Sequence, residues 1–235
     1  MARMARAVVP GYPHHVTQRG VRSMPVFFSD EDRRRYVELL AANAERFGLE
    51  FWAWCLMTNH VHFLVVPKAA DSLARGIGDA HRRYTRQINL REGVRGHLFQ
   101  ERFRSYAVPR DAHAVAVGRY IELNPVKGGL VARAEDYAWS SARYNVGESD
   151  ADALVFKRAL GELAAPWAEV LRDGEKDAER RRIELHSGTG RPMGEEKWVR
   201  GLERRLERRL QALPAGWQKG RRRAKRGRED AKQRA

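Results

Sequence analysis

A single cysteine, Cys55, among 235 residues excludes both an internal disulfide framework and a thiolate-built zinc site. Long apolar runs are missing too: none approaches the ~20 residues of a membrane-spanning helix. The N-terminal residues 1–6 are basic, yet no signal-type apolar stretch follows them. Acidic residues are the other shortage, with 30 Asp+Glu against 45 Lys+Arg, a net charge of +15 and a pI near 10.6. Apolar residues make up 43% of the chain, enough for a proper core. The expectation is a soluble cytoplasmic protein whose partner is a polyanion, with no membrane involved.

The excess charge is unevenly spread. Residues 214–235 carry nine basic and two acidic side chains and almost nothing apolar, so they read as a disordered basic tail. Such a tail fits a phosphate-binding arm whose contribution falls with salt, and equally a solubilising appendage. Residues 149–213 read as a helical C-terminal region, in which Trp198, Leu202, Leu206 and Leu210 form one stripe. The stripe is too short for a coiled coil and reads as a helix docked on the body.

Residues 1–148 alternate strand and helix signals. A strand is expected over residues 12–19, then a helix opened by Ser29 and closed by Gly48. Residues 49–57 and 60–66 form two apolar runs with a short gap, hence an antiparallel hairpin. A basic helix over 72–90, a strand over 99–108 and a helix from Asp111 to about Leu123 complete the order, the last helix ended by Asn124-Pro125. The order β–α–ββ–α–β–α gives an α+β fold with helices packed on an antiparallel sheet.

His60-Val61-His62 lies at the start of the second hairpin strand. A strand turns residues i and i+2 to the same side, so the two imidazoles emerge together while Val61 and Phe63 pack opposite. Two neutral imidazoles can share one divalent cation; they are also compatible with ordinary hydrogen-bonded surface histidines. Tyr120 and Asn124, four apart on a helix, share a face. An amide oxygen suits Mg²⁺ or Mn²⁺, and a phenol one turn away can reach a phosphate held by that cation. Alone, Tyr120 reads better as a core aromatic with its hydroxyl tied to backbone.

The run 55–62 (CLMTNHVH) and the run 119–131 (RYIELNPVKGGLV) together resemble the single-tyrosine HUH transposases. The runs 10–20 (PGYPHHVTQRG), 97–100 (HLFQ) and 137–142 (YAWSSA) narrow the resemblance to the REP-associated tyrosine transposases, over residues 7–145 in order; 190–194 (GRPMG) resembles the opening of that branch's C-terminal region. The resemblance implies a ferredoxin-like sheet and a catalytic domain spanning 1–148. It also implies His60, His62 and Asn124 as ligands of a divalent metal, Mg²⁺ or Mn²⁺, and Tyr120 as nucleophile. Members cut and rejoin single-stranded DNA at hairpin-forming palindromes through a 5′-phosphotyrosine that releases a 3′-hydroxyl. Thr58 stands where the family usually has proline, and Gly128 where alanine is usual; neither is a ligand or the nucleophile. Both a monomer acting in cis and a homodimer are open.

Arg19 and Arg22 near the first strand, Arg82, Arg83 and Arg86 on the second helix, and Arg102 and Arg104 on the following strand are candidate DNA contacts. Trp52, Trp54, Phe99 and Phe103 are candidates for base stacking, with burial the stronger reading for the tryptophans. His14 and His15 share a strand beside the metal strand and read as structural or indirect DNA contacts. Three rivals compete with the transposase reading. A domesticated DNA- or RNA-hairpin binder has no use for His60, His62, Tyr120 and Asn124 together. A two-histidine phosphoesterase lacks a second His-x-Ser/Thr beside His15-Val16-Thr17. A metal hydrolase using water needs no tyrosine.

Overall fold

The computed structural model describes residues 6–212, so the basic tail expected at 214–235 lies outside the described residues. Four antiparallel strands, β1 (His14–Arg19), β2 (Leu49–Leu56), β3 (His60–Pro67) and β4 (Arg104–Ala107), form one sheet in the order β2-β3-β1-β4. The helices α1 (Asp30–Phe47) and α2 (Ser72–Arg91) cover one face. The other face carries α3 (Ala112–Glu122), the short α4 (Asn124–Lys127) and α5 (Ala142–Asn145), and the C-terminal helices α6 (Ala159–Leu163), α7 (Trp167–Arg172) and α8 (Asp177–Thr189). The chain closes with α9 (Glu196–Arg205). The architecture is the expected α+β type. No helix among the described residues is long and apolar enough to cross a membrane.

The pleat sorts the core. Val61, Phe63 and Val65 of β3 pack beneath α1 and α2, while Leu64 and Val66 join the core under α3. The tryptophans divide likewise, Trp54 facing α1 and α2 and Trp52 facing α3, both buried. Phe99 and Phe103 are buried too, so these four rings are core before they are stacking platforms. Ser29 caps α1 by accepting the Asp32 N–H, three acids occupy the first turn, and Gly48 closes the helix at φ +63°, a conformation costly for any residue with a Cβ. The α9 stripe docks as expected, Val199, Leu202 and Leu210 packing with Ala7, Val9 and Ala107.

Two expected elements differ. The strand over 99–108 is reduced to Arg104–Ala107, with Phe99 held to Gly20 only by an isolated bridge. Glu101, at positive φ, breaks the extension needed for a longer strand. Helix α3 ends at Glu122 with Leu123 as its cap, as expected from Asn124-Pro125, but the chain is not released there: Asn124 and Pro125 at once open α4. Proline is tolerated in a first helical turn because no intrahelical partner awaits its missing N–H.

Helix α3 is pinned from behind. Gly118 lets it approach α6 and α7 so closely that a Cβ there would lie 2.5 Å from a Leu160 methyl. Glu122, fully buried, accepts from Ser141 Oγ at 2.6 Å, Asn145 Nδ2 at 2.6 Å and Trp167 Nε1 at 2.7 Å. Burial still outweighs those donors and pushes its carboxyl up to about 7. The folded state therefore binds the proton more tightly than the unfolded chain, so this group's stabilisation is complete below the ordinary carboxyl range and declines until about pH 7. Relative to Glu122→Gln, the wild-type protein should lose about 3 kcal/mol of unfolding free energy between pH 4.5 and 7. Urea melts across that range test this; parallel pH profiles for the two proteins contradict it.

Candidate functional site

Register decides which side chains meet. In the β1–β3 pair Thr17 faces His62, Arg19 faces His60 and His15 faces Leu64; in the β1–β4 pair His15 faces Tyr106 and Thr17 faces Arg104. Directly paired residues share a face, so His15, Thr17, Arg19, His60, His62, Arg104 and Tyr106 all point to the side where α3 crosses. There the Tyr120 ring lies 5.6 Å from His62 and 5.8 Å from His15, centre to centre, and the His60 and His62 rings are 5.0 Å apart. A single chain thus gathers both histidines, the tyrosine and Asn124.

The polar atoms are committed in a revealing way. Asn59 donates its amide to Ser23 O at 3.0 Å, which leaves its Oδ1 to accept from His60 Nδ1 at 2.6 Å. Asn124 donates Nδ2 to Tyr120 O at 2.7 Å and lies within hydrogen-bonding reach of His60. With its Nδ1–H given to Asn59, a neutral His60 keeps its lone pair on Nε2, and the Asn124 amide is its side-chain neighbour. His62 has its Nδ1 3.0 Å from His15 Nε2, leaving Nε2 as its free nitrogen. Among the described residues no three His, Cys, Asp or Glu side chains are grouped so as to hold a metal ion.

Electrostatics support neutral imidazoles. Burial holds His60 down at about 4, helped by Arg19, and holds His62 well below the usual histidine range, helped by His15 and His60. Burial raises the Tyr120 phenol to about 12, with Glu184 and Glu175 adding to it and Arg19 and Arg180 opposing. The Lys127 ammonium sits 4.5 Å from the Tyr120 ring centre and pairs with Glu175 at 2.7 Å.

These groups open on a cleft of about 1170 Å³. Arg19, Arg22, Arg102 and Arg104 line it, with His60, His62 and Tyr120. Arg82 lies on an adjoining smaller cleft that shares Gln18, His97, Phe99, Glu101 and Arg102 with the first, and it pairs with Asp79 at 2.6 Å. Arg83 also leans on Asp79, at 4.0 Å, and Arg86 borders a third depression with Asn89, so the structure does not bring these two to the main cleft. His14 and His15 are wholly buried and line neither cleft. Sequence reasoning passed over Thr17, Gln18, Glu184 and Ser187 in the main cleft. Thr17 was findable, since strand alternation puts it between His15 and Arg19; Glu184 and Ser187 arrive on α8, whose return to the sheet has no local signature.

Residues 11–124, the stretch holding both histidines, Tyr120 and Asn124, match the model of the family described as "Transposase IS200 like". Within it the chain is similar to the REP-associated tyrosine transposases, as the motifs imply. A Haemophilus influenzae protein assigned to that group is 26% identical over 141 residues, covering 56% of this chain and 78% of the relative. The solved structure of a REP-associated tyrosine transposase bound to a REP hairpin shares the fold, with a TM-score of 0.52 at 18% identity over 67% of this chain and 92% of that one.

Proposed function

We propose that this protein is a metal-dependent single-strand DNA endonuclease and strand transferase, acting at hairpin-forming palindromes through a 5′-phosphotyrosine on Tyr120. The observation that carries the proposal is the approach of the Tyr120 ring to within 5.6 Å of His62, on the face shared by His60 and Asn124. The hairpin bound by the structural relative, and the basic cleft found here, support the choice of DNA.

His60, His62 and Asn124 form a nitrogen, nitrogen and oxygen donor set that fits a hard or borderline divalent cation such as Mg²⁺ or Mn²⁺. Bound there, such a cation neutralises charge on the scissile phosphate and stabilises the oxyanion developing on the phenol. Arg19, Arg22, Arg102 and Arg104 hold the flanking backbone phosphates in the cleft. Lys127 lies against the Tyr120 ring, and the bond from Asn124 to the Tyr120 backbone carbonyl holds the Asn124 amide in place. The Tyr120 oxygen attacks phosphorus, the bond to the 3′ oxygen breaks, and the phenolic proton is replaced on the departing 3′-hydroxyl. In the reverse direction a 3′-hydroxyl attacks the phosphotyrosine, and the phenol recovers its proton. The phosphodiester bond is exchanged rather than spent, so joining needs no nucleotide cofactor. Because one chain supplies every group, cis action by a monomer suffices.

Incubation with Mn²⁺ and a single-stranded palindrome with its flanks should yield a denaturant-resistant protein–DNA adduct. Tyr120→Phe should abolish that adduct and leave hairpin affinity within a few-fold; cleavage that persists in this variant assigns the nucleophile to water instead. EDTA or His60→Ala should stop cleavage yet preserve binding, and undiminished cleavage in EDTA contradicts a metal role. Arg104→Ala should lower the slope of log K against log salt by about one, checked by titrations at several ionic strengths. Binding with no adduct under any metal condition supports the hairpin-binder reading.

A further inference from the structure

The two histidines of the donor set are held by different kinds of partner. His60 Nδ1 meets an amide oxygen, Asn59 Oδ1, which can only accept, so the tautomer of His60 is fixed locally. His62 Nδ1 meets another imidazole, His15 Nε2, which can accept or donate. The tautomer of His62 is therefore decided further out.

The chain of contacts continues. His15 Nδ1 lies 3.0 Å from the Tyr106 hydroxyl, and Ser187 of α8 hydrogen-bonds that hydroxyl while its Oγ lies 3.5 Å from His15 Nδ1. His15 is 0% exposed, Tyr106 1% and His62 6%, so water does not compete for the His62–His15 and His15–Tyr106 bonds; Ser187, half-buried at the cleft wall, is the outer end of the chain. Two proton arrangements satisfy the chain. In one, Tyr106 donates to His15 and His15 donates to His62, which leaves a proton on His62 Nε2 and no lone pair for a cation. In the other, His62 Nδ1–H donates to His15 Nε2, His15 Nδ1–H donates to Tyr106, and Tyr106 donates to Ser187. The number of protons is the same; only the second arrangement presents the Nε2 lone pair.

We infer that His15, Tyr106 and Ser187 are positioning residues that set the tautomer of His62, so that the metal-binding form of this ligand depends on a hydroxyl supplied by helix α8. The inference rests on the proposed metal site. It gives the fully buried His15 a task that neither phosphate contact nor core packing explains, because a core position asks only for an apolar ring. Partners beyond the ligands generally govern imidazole orientation and basicity, and their loss weakens metal binding.

The test uses full-length protein and does not read turnover. Mn²⁺ affinity is measured by electron paramagnetic resonance, and the His62 tautomer by ¹⁵N–¹H correlation of histidine-labelled, Mg²⁺-loaded protein. Wild type should show the Nδ1–H form of His62. His15→Leu should weaken Mn²⁺ on the order of tenfold. His15→Gln, whose Oε1 can accept from His62, should restore most of the affinity, which a merely structural histidine does not predict. Tyr106→Phe, the mildest change, should weaken Mn²⁺ several-fold and shift His62 toward the Nε2–H form, whether or not His15→Leu folds. Wild-type affinity in both His15→Leu and Tyr106→Phe, or an Nε2–H His62 in the loaded protein, overturns the relay alone. No Mn²⁺ binding by wild type overturns the metal site and the relay together.

Discussion

The site depends on the pairing of β1 with β3. In this antiparallel register Thr17 opposes His62 and Arg19 opposes His60, so the histidines, the cleft-lining Arg19 and the buried His15 share one face. A slip of one residue would turn His15 and Arg19 to the side of α1 and α2 and leave His62 without its imidazole neighbour. Apolar burial specifies the register: Val16 of β1 packs on the same side as Val61, Phe63 and Val65. The hydrophobic core and the donor set are thus two readings of one pleat.

Helix α3 completes the arrangement and is fixed from its far side. Tyr120 faces the sheet histidines while Glu122, two residues on, is clasped by Ser141, Asn145 and Trp167. Burying a carboxyl that three donors satisfy is a costly way to hold a helix, but a directional one. The same desolvation acts oppositely on the two halves of the site. It favours the neutral forms of His60 and His62, and it favours the protonated phenol of Tyr120. Glu184 and Glu175, from the chain that returns over the sheet, deepen that resting state.

Much of this was legible in the residues. The spacing of His60 and His62 on a strand, and of Tyr120 and Asn124 at a helix end, follows from periods of two and 3.6 residues. The β2–β3 hairpin, the cap at Ser29 and the stop at Gly48 also follow from local rules. The shortened β4 did not, because positive φ at Glu101 interrupts a stretch whose alternation still looks strand-like. The end of α3 before Asn124-Pro125 was legible, but the new first turn that Pro125 enters at once was not. The contact of His15 with His62 depends on which strands are neighbours, and the arrival of Ser187 and Glu184 depends on how the C-terminal helices fold back. Neither is written in any short window of sequence. The arginines of α2 were grouped with the cleft on charge alone, and for Arg83 and Arg86 the fold directs them elsewhere.

The convergence of two strand imidazoles and a helix amide beside a phenol is open to direct observation. Crystals of the full-length protein soaked in Mn²⁺ can be measured at the manganese absorption edge. The account predicts one anomalous peak bonded to His60, His62 and Asn124 with the Tyr120 hydroxyl turned toward it. A peak bonded to other residues, or a peak at the histidines with the hydroxyl of Tyr120 directed away, contradicts it.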